Sequence, residues 1–248
     1  MKSAGIDIGS RTVKLVVMDN GEVSLARKGE SGFDPLQVCR DFLDGVSYDV
    51  ITATGYGRHL FRANFECEVI SEIKAFAGGA KYLFPACRTI LDMGGQDTKV
   101  ISLNPAGRFD KFEMNDKCAA GTGRFLEIMA LTLGYTLADF GKVALLAKKA
   151  EKISNMCTVF AESEVISLLA KGALREEVAL GIHQGIVARS VNMIRKVSLE
   201  EDFVFVGGVA LNPCMRELLG KIMGKTVLVP EDPQIAGALG CALSNFRI

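Results

Sequence analysis

Two short stretches of this 248-residue chain place an aspartate two residues before a glycine in a predicted turn. The first is Asp7-Ile8-Gly9-Ser10, and the second, Asp92-Met93-Gly94-Gly95, begins 85 residues later. Backbone amides in such turns can bind phosphate oxygens, and a neighbouring carboxylate can hold a hydrated magnesium ion. Either motif alone is also typical of an ordinary β-turn. Because the motif occurs twice, the sequence predicts a phosphate clamp with one carboxylate on each side.

Two of the seven cysteines stand before predicted helices. Cys118 precedes the glycine-rich residues 119–124, and Cys157 precedes the helical pattern of residues 160–171. Thiolates are ligands for iron and other soft metals, so this pair predicts redox chemistry. The chain has no C-x-x-C pair, and a disulfide framework is not expected in it. The remaining cysteines lie among apolar neighbours and are interpreted as small buried side chains: Cys39, Cys67, Cys87, Cys214 and Cys241.

Hairpins are the elements that position the two Asp–Gly motifs. Residues 13–18 form a β-branched strand, and Asn20-Gly21 is a strong signal for a tight hairpin turn. Gly9 and Ser10 therefore lie between antiparallel strands, unlike the glycine-rich loop of dinucleotide-binding proteins, which opens a helix. Strands 88–91 and 100–103 flank the second motif in the same way. The two hairpins are the only internal repeat that the sequence predicts.

The rest of the chain predicts an α/β protein that becomes mostly helical after residue 120. Asp34 and Asn212 are predicted N-caps, and Gly78-Gly79 inside a helix predicts either close packing or a mild weakness of the helix. Gly207-Gly208 lies between a strand and a helix, where it fits an adenosine seat and equally a plain strand–helix turn. The further predicted strands are 22–28, 50–54, 109–114, 203–206 and 227–229, and the predicted helices are 34–46, 71–84, 125–130, 136–149, 160–171, 175–197, 213–223 and 233–246.

Composition excludes several classes of protein. The formal net charge is zero, which argues against nucleic acid or an anionic membrane as a partner. No uncharged run is long enough for a membrane helix, and Asp7 and Arg11 come too early for a signal peptide. Hydrophobic residues make up 49% of the chain, enough for a sizeable core, and the length favours two lobes. A cytoplasmic protein is expected.

The order of two Asp–Gly hairpins followed by a late Gly-Gly resembles the actin/hexokinase/Hsp70 ATPase superfamily. More narrowly, N-D-K-C-A-A-G-T-G-R-F around Cys118 and C-T-V-F-A-E-S-E from Cys157 resemble the BadF/BadG/BcrA/BcrD ATPases, especially the activator (component A) proteins of 2-hydroxyacyl-CoA dehydratases. The similarity extends over the whole chain and includes A-T-G-Y-G-R at 53–58. It implies a two-lobed, ribonuclease H-like α/β fold. Residues 1–84 and about 235–248 would form the first lobe, and residues 85–234 the second.

The resemblance implies a homodimer that holds one [4Fe–4S] cluster between its subunits. Cys118 and Cys157 of each chain match the ligand cysteines of the family. A cubane cluster needs four thiolates, and twofold symmetry would double the two that one chain offers. If both cysteines directly precede helices, four helix N-termini would point free amides and partial positive charge at the cluster.

The implied activity is ATP-driven electron transfer in an anaerobic setting. A ferredoxin or flavodoxin would donate the electron, and an iron–sulfur dehydratase or reductase would accept it. Alternatives within this class are the ATPase subunit of a benzoyl-CoA reductase and a partner of another double-cluster reductase. Alternatives of another class are a sugar kinase of the N-acetylglucosamine type and a non-redox, chaperone-like or regulatory ATPase module. The latter two would need no cluster.

The resemblance also implies roles for individual residues around ATP/ADP and Mg²⁺. Asp7 and Asp92 would hold magnesium through water, and Glu162, Glu164 or Gln96 would orient the attacking water. Each of the two glutamates is equally well interpreted as a solvated residue of its helix. The adenosine would lie against Gly207, Gly208 and Asn212. The remaining residues expected to bind the nucleotide come from the two hairpin turns and the Cys118 segment: Gly9, Ser10, Arg11, Thr12, Gly94, Gly95, Gln96, Asp97, Gly121 and Gly123.

Overall fold

Two five-stranded sheets organise the chain. The computed structural model describes residues 1–154, 157–197, 200 and 202–246. Among the helices of these residues, none is both long and apolar enough to cross a bilayer. The predicted first lobe extends to residue 248, and its last two residues lie outside the described part of the chain. The predicted lobe boundaries remain a prediction.

The first sheet contains the first Asp–Gly hairpin. Its elements are β1 (Lys2–Ile8), β2 (Thr12–Asp19), β3 (Glu22–Glu30), α1 (Pro35–Leu43), β4 (Val50–Thr54), α2 (Arg58–Arg62) and β5 (Glu68–Val69). The strand order is β3-β2-β1-β4-β5, with β1 antiparallel to β2 and parallel to β4. Asn20 and Gly21 both have positive φ, as the predicted tight hairpin requires. Asp34 caps α1 as predicted, because its Oδ1 accepts from the Gln37 amide at 3.1 Å.

The second sheet contains the second hairpin. Its strands are β6 (Thr89–Met93), β7 (Thr98–Leu103), β8 (Phe109–Asn115), β9 (Phe203–Val206) and β10 (Val227–Leu228), in the order β10-β9-β6-β7-β8. The chain between β8 and β9 contains α4 (Gly123–Thr132), α5 (Leu137–Ala144), α6 (Thr158–Ala170) and α7 (Arg175–Val197). A 3₁₀ turn (Gly208–Leu211) and α8 (Pro213–Met223) connect β9 to β10.

The internal repeat is larger than the sequence predicts. Each sheet is one unit of five strands, β1–β5 in the first and β6–β10 in the second. In each unit the first three strands form an antiparallel meander, and the fourth and fifth strands are added in parallel beside the first. Sequence similarity between the halves is confined to a few positions, because only there do both halves need the same residue types. The rest of each half needs only apolar strands, which many sequences provide.

Two helices, α3 (Glu72–Leu83) and α9 (Ala236–Leu243), pack against each other, and each packs on a different sheet. Residues of α3 belong to a core cluster with Ile90 and Ile101 of the second sheet, while α9 packs with Val16 and Met18 of the first. Glycines allow the two helices to approach closely. A Cβ on Gly79 would overlap the Ala236 carbonyl oxygen. The close packing predicted for the glycine pair in α3 is therefore present at Gly79.

The neighbouring glycines of α3 make a testable pair. A Cβ on Gly78 would meet nothing nearer than the Gly240 Cα at 3.7 Å, an ordinary van der Waals contact. We expect Gly78→Ala to stabilise the protein by about 0.5–1 kcal/mol through helix propensity. Gly79→Ala should destabilise it by about 1–3 kcal/mol or more, because the packed backbone must move. Urea unfolding of both variants measures the two free energies, and equal signs would contradict this packing of α3 on α9.

Two predicted helices have clearly different bounds in the structure, and two short elements were not predicted. The helix predicted for residues 136–149 ends at Ala144, and the Glu151 amide instead donates to the Glu177 carbonyl of α7. The helix predicted from residue 233 begins at Ala236, because the Pro233 carbonyl accepts from the Gly207 amide. The short elements α2 and β5 were not predicted, since five and two residues are too few to show a period.

Candidate active site

A cleft of about 1100 Å³ is lined by residues from both sheets. The turns of the two Asp–Gly hairpins contribute to its walls, and so does the Gly-Gly turn after β9. Of the predicted nucleotide-binding residues, Gly121 does not line the cleft. The predicted residues that do are Asp7, Gly9, Ser10, Arg11, Thr12, Asp92, Gly94, Gly95, Gln96, Asp97, Gly123, Gly207, Gly208 and Asn212.

The two hairpin turns close in the same way. The Gly9 amide donates to the Thr12 carbonyl at 3.0 Å, and the Gly94 amide donates to the Asp97 carbonyl at 2.9 Å. Thr12 and Asp97 therefore shape the turns through their backbones. Because the hydrogen bond spans three residues in both turns, the two turns have equivalent backbone hydrogen bonding at the cleft.

Each aspartate is paired with a lysine seven residues later. Asp7 lies opposite Lys14 in the β1–β2 ladder, and Asp92 lies opposite Lys99 in the β6–β7 ladder. In both pairs the lysine Nζ is 3.2 Å from the aspartate Oδ2. Neither lysine was predicted as a site residue, although the repeated Asp-x₆-Lys spacing is a signal that could have identified both.

A glycine at the end of the fourth strand of each unit contacts the other carboxylate oxygen. Gly55 and Gly207 have φ of +89° and +88°. A Cβ would lie 2.5 Å from Asp7 Oδ1 at Gly55 and 2.6 Å from Asp92 Oδ1 at Gly207. Glycine is needed at both positions, because the backbone is left-handed and a side chain would displace the carboxylate. The A-T-G-Y-G-R motif thus supports Asp7 as the Gly-Gly turn supports Asp92.

Asp92 can accept a hydrogen bond from a metal-bound water. Its Oδ1 is buried and has no hydrogen-bond partner among the described residues. Burial raises the pKa of Asp92 to about 7, with Asp97 and Glu72 adding to the rise and Lys99 opposing it. A cation near Oδ1 would favour the carboxylate form. Because magnesium binds oxygen ligands and usually keeps several waters, these residues fit the predicted hydrated ion.

Lys99 connects three carboxylates at the base of the cleft. Its Nζ lies 3.2 Å from Asp92 Oδ2, 2.6 Å from Glu72 Oε2 and 2.5 Å from Asp97 Oδ2. Burial would lower the pKa of Lys99, but these carboxylates outweigh it and raise the pKa above its ordinary value. Lys99 therefore stays charged and fixes the position of Asp92. Glu72 begins α3, so this cluster also ties α3 to the second sheet.

Asn212 lines the cleft where the adenosine is predicted to lie, and both ends of its amide bond within the protein. Its Oδ1 accepts from the Met215 amide at 3.1 Å, which confirms the predicted N-cap of α8. Its Nδ2 is 2.9 Å from His183 Nε2, and His183 Nδ1 is 2.7 Å from the Ala179 carbonyl. Since both polar ends of this amide are hydrogen-bonded within the protein, the Asn212 side chain is held in one position in the cleft wall. His183 was not predicted as a site residue.

The geometry around His183 predicts a pH-dependent stability. The Asn212 amide donates to Nε2, so the ring is neutral with its proton on Nδ1. Burial lowers the pKa of His183 from 6.5 to about 4, with the bond to Ala179 opposing the change. At His183 the unfolded chain therefore binds more protons between these values, so the contribution of this residue to stability falls as the pH drops from 6.5 towards 4, by at most about 3 kcal/mol. Asp92 titrates over the same range with the opposite sign, so the test compares two urea-unfolding profiles. The wild type should lose stability relative to His183→Gln as the pH falls; parallel pH profiles would contradict this.

The Cys118 segment is bonded directly to the second hairpin turn. The Gly123 and Arg124 amides donate to the Gly94 and Gly95 carbonyls at 2.9 and 2.8 Å. Thr98 Oγ1 donates to the Gly121 carbonyl at 2.7 Å, which gives Gly121 a structural position outside the cleft. The condition for four helix N-termini at a cluster is not met at α4, because Cys118 does not directly precede this helix and the first two amides of the helix bind the turn.

The two predicted ligand cysteines differ in exposure. Cys157 is exposed at the N-cap of α6, as predicted, and Cys118 is partly buried four residues before the N-cap of α4. Burial raises the pKa values of the other five thiols, which fits the predicted buried, protonated state. Four of these five are buried, and Cys67 is partly buried. Within the described part of the chain, no group of three or more His, Cys, Asp or Glu residues could hold a metal ion.

The predicted water-orienting glutamates lie outside the cleft. Glu162 is exposed on α6 and accepts from Thr132 Oγ1 at 3.4 Å. Glu164 Oε1 accepts from the amide and hydroxyl of Ser154 at 2.9 and 2.6 Å. Neither side chain lines the cleft, because α6 packs on α4 and α7 instead. The expectation for both glutamates is corrected, and Gln96 is the predicted residue that does line the cleft.

A family model for the BadF/BadG/BcrA/BcrD ATPases matches residues 4–244, nearly the whole chain. The chain belongs to the BadF/BadG/BcrA/BcrD ATPase family. The family assignment agrees with the phosphate-turn geometry and with the resemblance of the Cys118 and Cys157 motifs. Members of this family are therefore the proper comparison for the cleft.

Relatives in the family align along their full lengths. The activator of lactoyl-CoA dehydratase from Anaerotignum propionicum is 41% identical over 258 residues, covering 100% of this chain and 98% of the relative. The solved activator of 2-hydroxyisocaproyl-CoA dehydratase from Clostridium difficile, with bound ADPNP, is 37% identical with a TM-score of 0.90, covering 98% and 94% of the two chains. A glucokinase of the ROK family from Streptomyces griseus, 12% identical with a TM-score of 0.59 and 98% coverage of both chains, shares the fold alone. These similarities confirm the predicted actin/hexokinase-like α/β fold.

Proposed function

We propose that this chain is an ATP-hydrolysing electron-transfer activator that works as a homodimer with one [4Fe–4S] cluster. It delivers a low-potential electron to a partner iron–sulfur enzyme such as a 2-hydroxyacyl-CoA dehydratase. The observation that carries the proposal is the hydrogen bonding of Gly123 and Arg124 to the Gly94–Gly95 carbonyls. Through these bonds, the segment that would bind iron and the turn that would bind phosphate are parts of one unit.

In this proposal, residues from both sheets bind the nucleotide in the cleft. Asp7 and Asp92 hold hydrated Mg²⁺ through water, and magnesium neutralises part of the phosphate charge. Lys14 and Lys99 keep the two carboxylates in place. The adenosine lies against the Gly207–Gly208 turn. The turn residues that bind phosphate are Gly9, Ser10, Arg11, Thr12, Gly94, Gly95, Gln96 and Asp97, with Gln96 also orienting the attacking water.

The thiols of Cys118 and Cys157 are the iron ligands in this proposal. One chain offers two thiols that match the cysteine motifs of the family, whereas a cubane cluster takes four, so two chains complete the site. When bound, such a cluster supplies one-electron transfer. Exposed apolar side chains on α6, the helix that Cys157 caps, and on the neighbouring α4 support a dimer contact here. Val159, Phe160 and Ile166 of α6 and Leu131 of α4 are each more than half exposed.

Coupling between ATP and the cysteines is geometric. Loss of the terminal phosphate changes how the two hairpin turns close on the nucleotide. α4 starts on the second turn and α6 packs on α4, so a change at the turn alters the setting of Cys118 and Cys157. ATP energy can then shift a one-electron potential substantially, at about 59 mV per 1.4 kcal/mol.

The relatives support the class of electron acceptor. Two activators of acyl-CoA dehydratases are 41% and 37% identical to this chain, and the second was solved with an ATP analogue. A ferredoxin or flavodoxin is proposed as the donor. A benzoyl-CoA reductase or another double-cluster reductase is the alternative acceptor, and neither nucleic acid nor a membrane is proposed as a partner.

The proposal is tested by measuring electron delivery. The protein, purified without oxygen and chemically reduced, is mixed with MgATP and a purified 2-hydroxyacyl-CoA dehydratase, and dehydration is followed. We expect dehydration that requires both hydrolysable ATP and iron in the activator. Iron-stripped protein and a non-hydrolysable ATP analogue are the controls. ATP turnover by a metal-free protein that phosphorylates a sugar would overturn the proposal in favour of a kinase.

A further inference from the structure

One arginine connects both phosphate turns to the helix that follows Cys118. Arg11 lies in the turn between β1 and β2, and its Nη2 is 2.6 Å from Glu127 Oε1 on α4. A Cβ on Gly95 would lie 2.7 Å from the Arg11 Cγ, so the arginine stem crosses the second turn on its way to Glu127. Both Arg11 and Glu127 line the cleft. The ion pair therefore spans the nucleotide site and ends on α4.

Glu127 keeps a second cation when Arg11 leaves. Arg124 Nη1, one turn earlier on α4, is 2.9 Å from Glu127 Oε2. The backbone amide of the same Arg124 binds the Gly95 carbonyl at 2.8 Å. If Arg11 is released, Glu127 therefore still has Arg124 as an ion-pair partner. The ion pair that connects the first turn to α4 is then broken.

A nucleotide phosphate can compete with Glu127 for Arg11. The side chain of Arg11 is 54% exposed and that of Glu127 is 29% exposed, so their ion pair is weakened by solvent. A triphosphate carries more negative charge than one carboxylate, and the arginine fork binds phosphate oxygens in pairs. The guanidinium is already at the cleft wall, so the exchange needs a side-chain movement only.

We propose that Arg11 exchanges between Glu127 and the terminal phosphate of a bound nucleotide. Glu127 is then the positioning residue through which the nucleotide state reaches α4 and the Cys118 segment. The inference rests on the proposed function in that it takes ATP to occupy the cleft. It adds the residue pair that senses the terminal phosphate.

The exchange is tested with the neutral variant Glu127→Gln in iron-free protein. If Glu127 competes with phosphate, its removal should tighten a non-hydrolysable ATP analogue relative to ADP by about two- to fivefold. Isothermal titration with Mg²⁺ measures both affinities. Lys28→Gln is the matched control, because it removes the 2.7 Å ion pair with Asp232, away from α4. The control should keep the wild-type ratio, and an unchanged or lowered ratio in Glu127→Gln would overturn the exchange.

A second readout follows Cys118 itself. Its alkylation by iodoacetamide is measured by mass spectrometry with ADP and with the ATP analogue, each at saturation. We expect at least about a twofold difference between the nucleotides in the wild type and Lys28→Gln, and a smaller one in Glu127→Gln, where only the backbone bonds of Gly123 and Arg124 still connect α4 to the second turn. A difference of wild-type size in Glu127→Gln, or no difference in nucleotide-bound wild type, would overturn the role of Glu127. Failure of the proposed function is distinct, since it would appear as no nucleotide binding by the wild type or as no electron delivery.

Discussion

Replacing Cys157 with serine is expected to abolish iron binding and leave the nucleotide cleft intact. Cys157 is exposed at the N-cap of α6 and does not line the cleft. Serine is a preferred N-cap residue, so the helix should lose no stability. A hydroxyl is a poor replacement for a soft thiolate ligand of an iron–sulfur cluster. Iron and sulfide, measured after reconstitution without oxygen, should fall from about four of each per two chains to almost none.

Two further substitutions calibrate that experiment. Cys118→Ser should lose the iron equally, because each chain contributes both thiols in the proposed dimer. Cys67→Ser is the matched control. Cys67 is partly buried like Cys118, but it directly precedes β5 of the first sheet. It should retain the full complement. A cluster that survives in Cys157→Ser would refute the assignment of Cys157 as a ligand.

Asp7→Asn is expected to stop ATP hydrolysis while the iron content remains unchanged. Asp7 is buried, its Oδ2 is 3.2 Å from Lys14 Nζ, and Gly55 lies against its Oδ1. Asparagine keeps the size of the side chain, but removes the negative charge that would hold hydrated magnesium. Loss of one preorganised electrostatic group typically lowers kcat by about 10²–10³-fold. Phosphate release and ATP-dependent electron delivery should fall together by this factor.

The control for Asp7→Asn is the same substitution at a surface cap. Asp34 caps α1, and asparagine is an equally good N-cap, so Asp34→Asn should hydrolyse ATP at the wild-type rate. Iron analysis of Asp7→Asn separates the two functions of the chain. Wild-type hydrolysis by Asp7→Asn would show that the first hairpin does not bind the metal-nucleotide complex.

The hairpins could be predicted because their signals are local. Asn20-Gly21 determines a tight turn by its own backbone preferences, and the Asp–Gly motifs repeat within a few residues. The Asp7–Lys14 and Asp92–Lys99 pairs depend on strand register, which shows only when the ladders are aligned. Lys14 and Lys99 were therefore missed, although the spacing that contains them is in the sequence.

Residues of the later helices were harder to assign, because their positions depend on packing. Glu162 and Glu164 follow Cys157 in the family motif, but α6 packs on α4 and α7, and this directs both carboxylates away from the cleft. The start of α4 was expected to serve Cys118, yet its amides bind Gly94 and Gly95. The sequence predicts where a helix begins and does not show which carbonyls its first amides meet.

In the proposed function, two chains share one cluster. Native mass spectrometry of protein purified without oxygen tests this sharing. We expect a dimer of 26.7 kDa chains that carries the mass of a single [4Fe–4S] cluster. We also expect that removal of iron by a chelator yields cluster-free protein that still binds MgADP. A metal-free monomer that hydrolyses ATP at full rate, or a monomer that holds a complete cluster alone, would contradict the account.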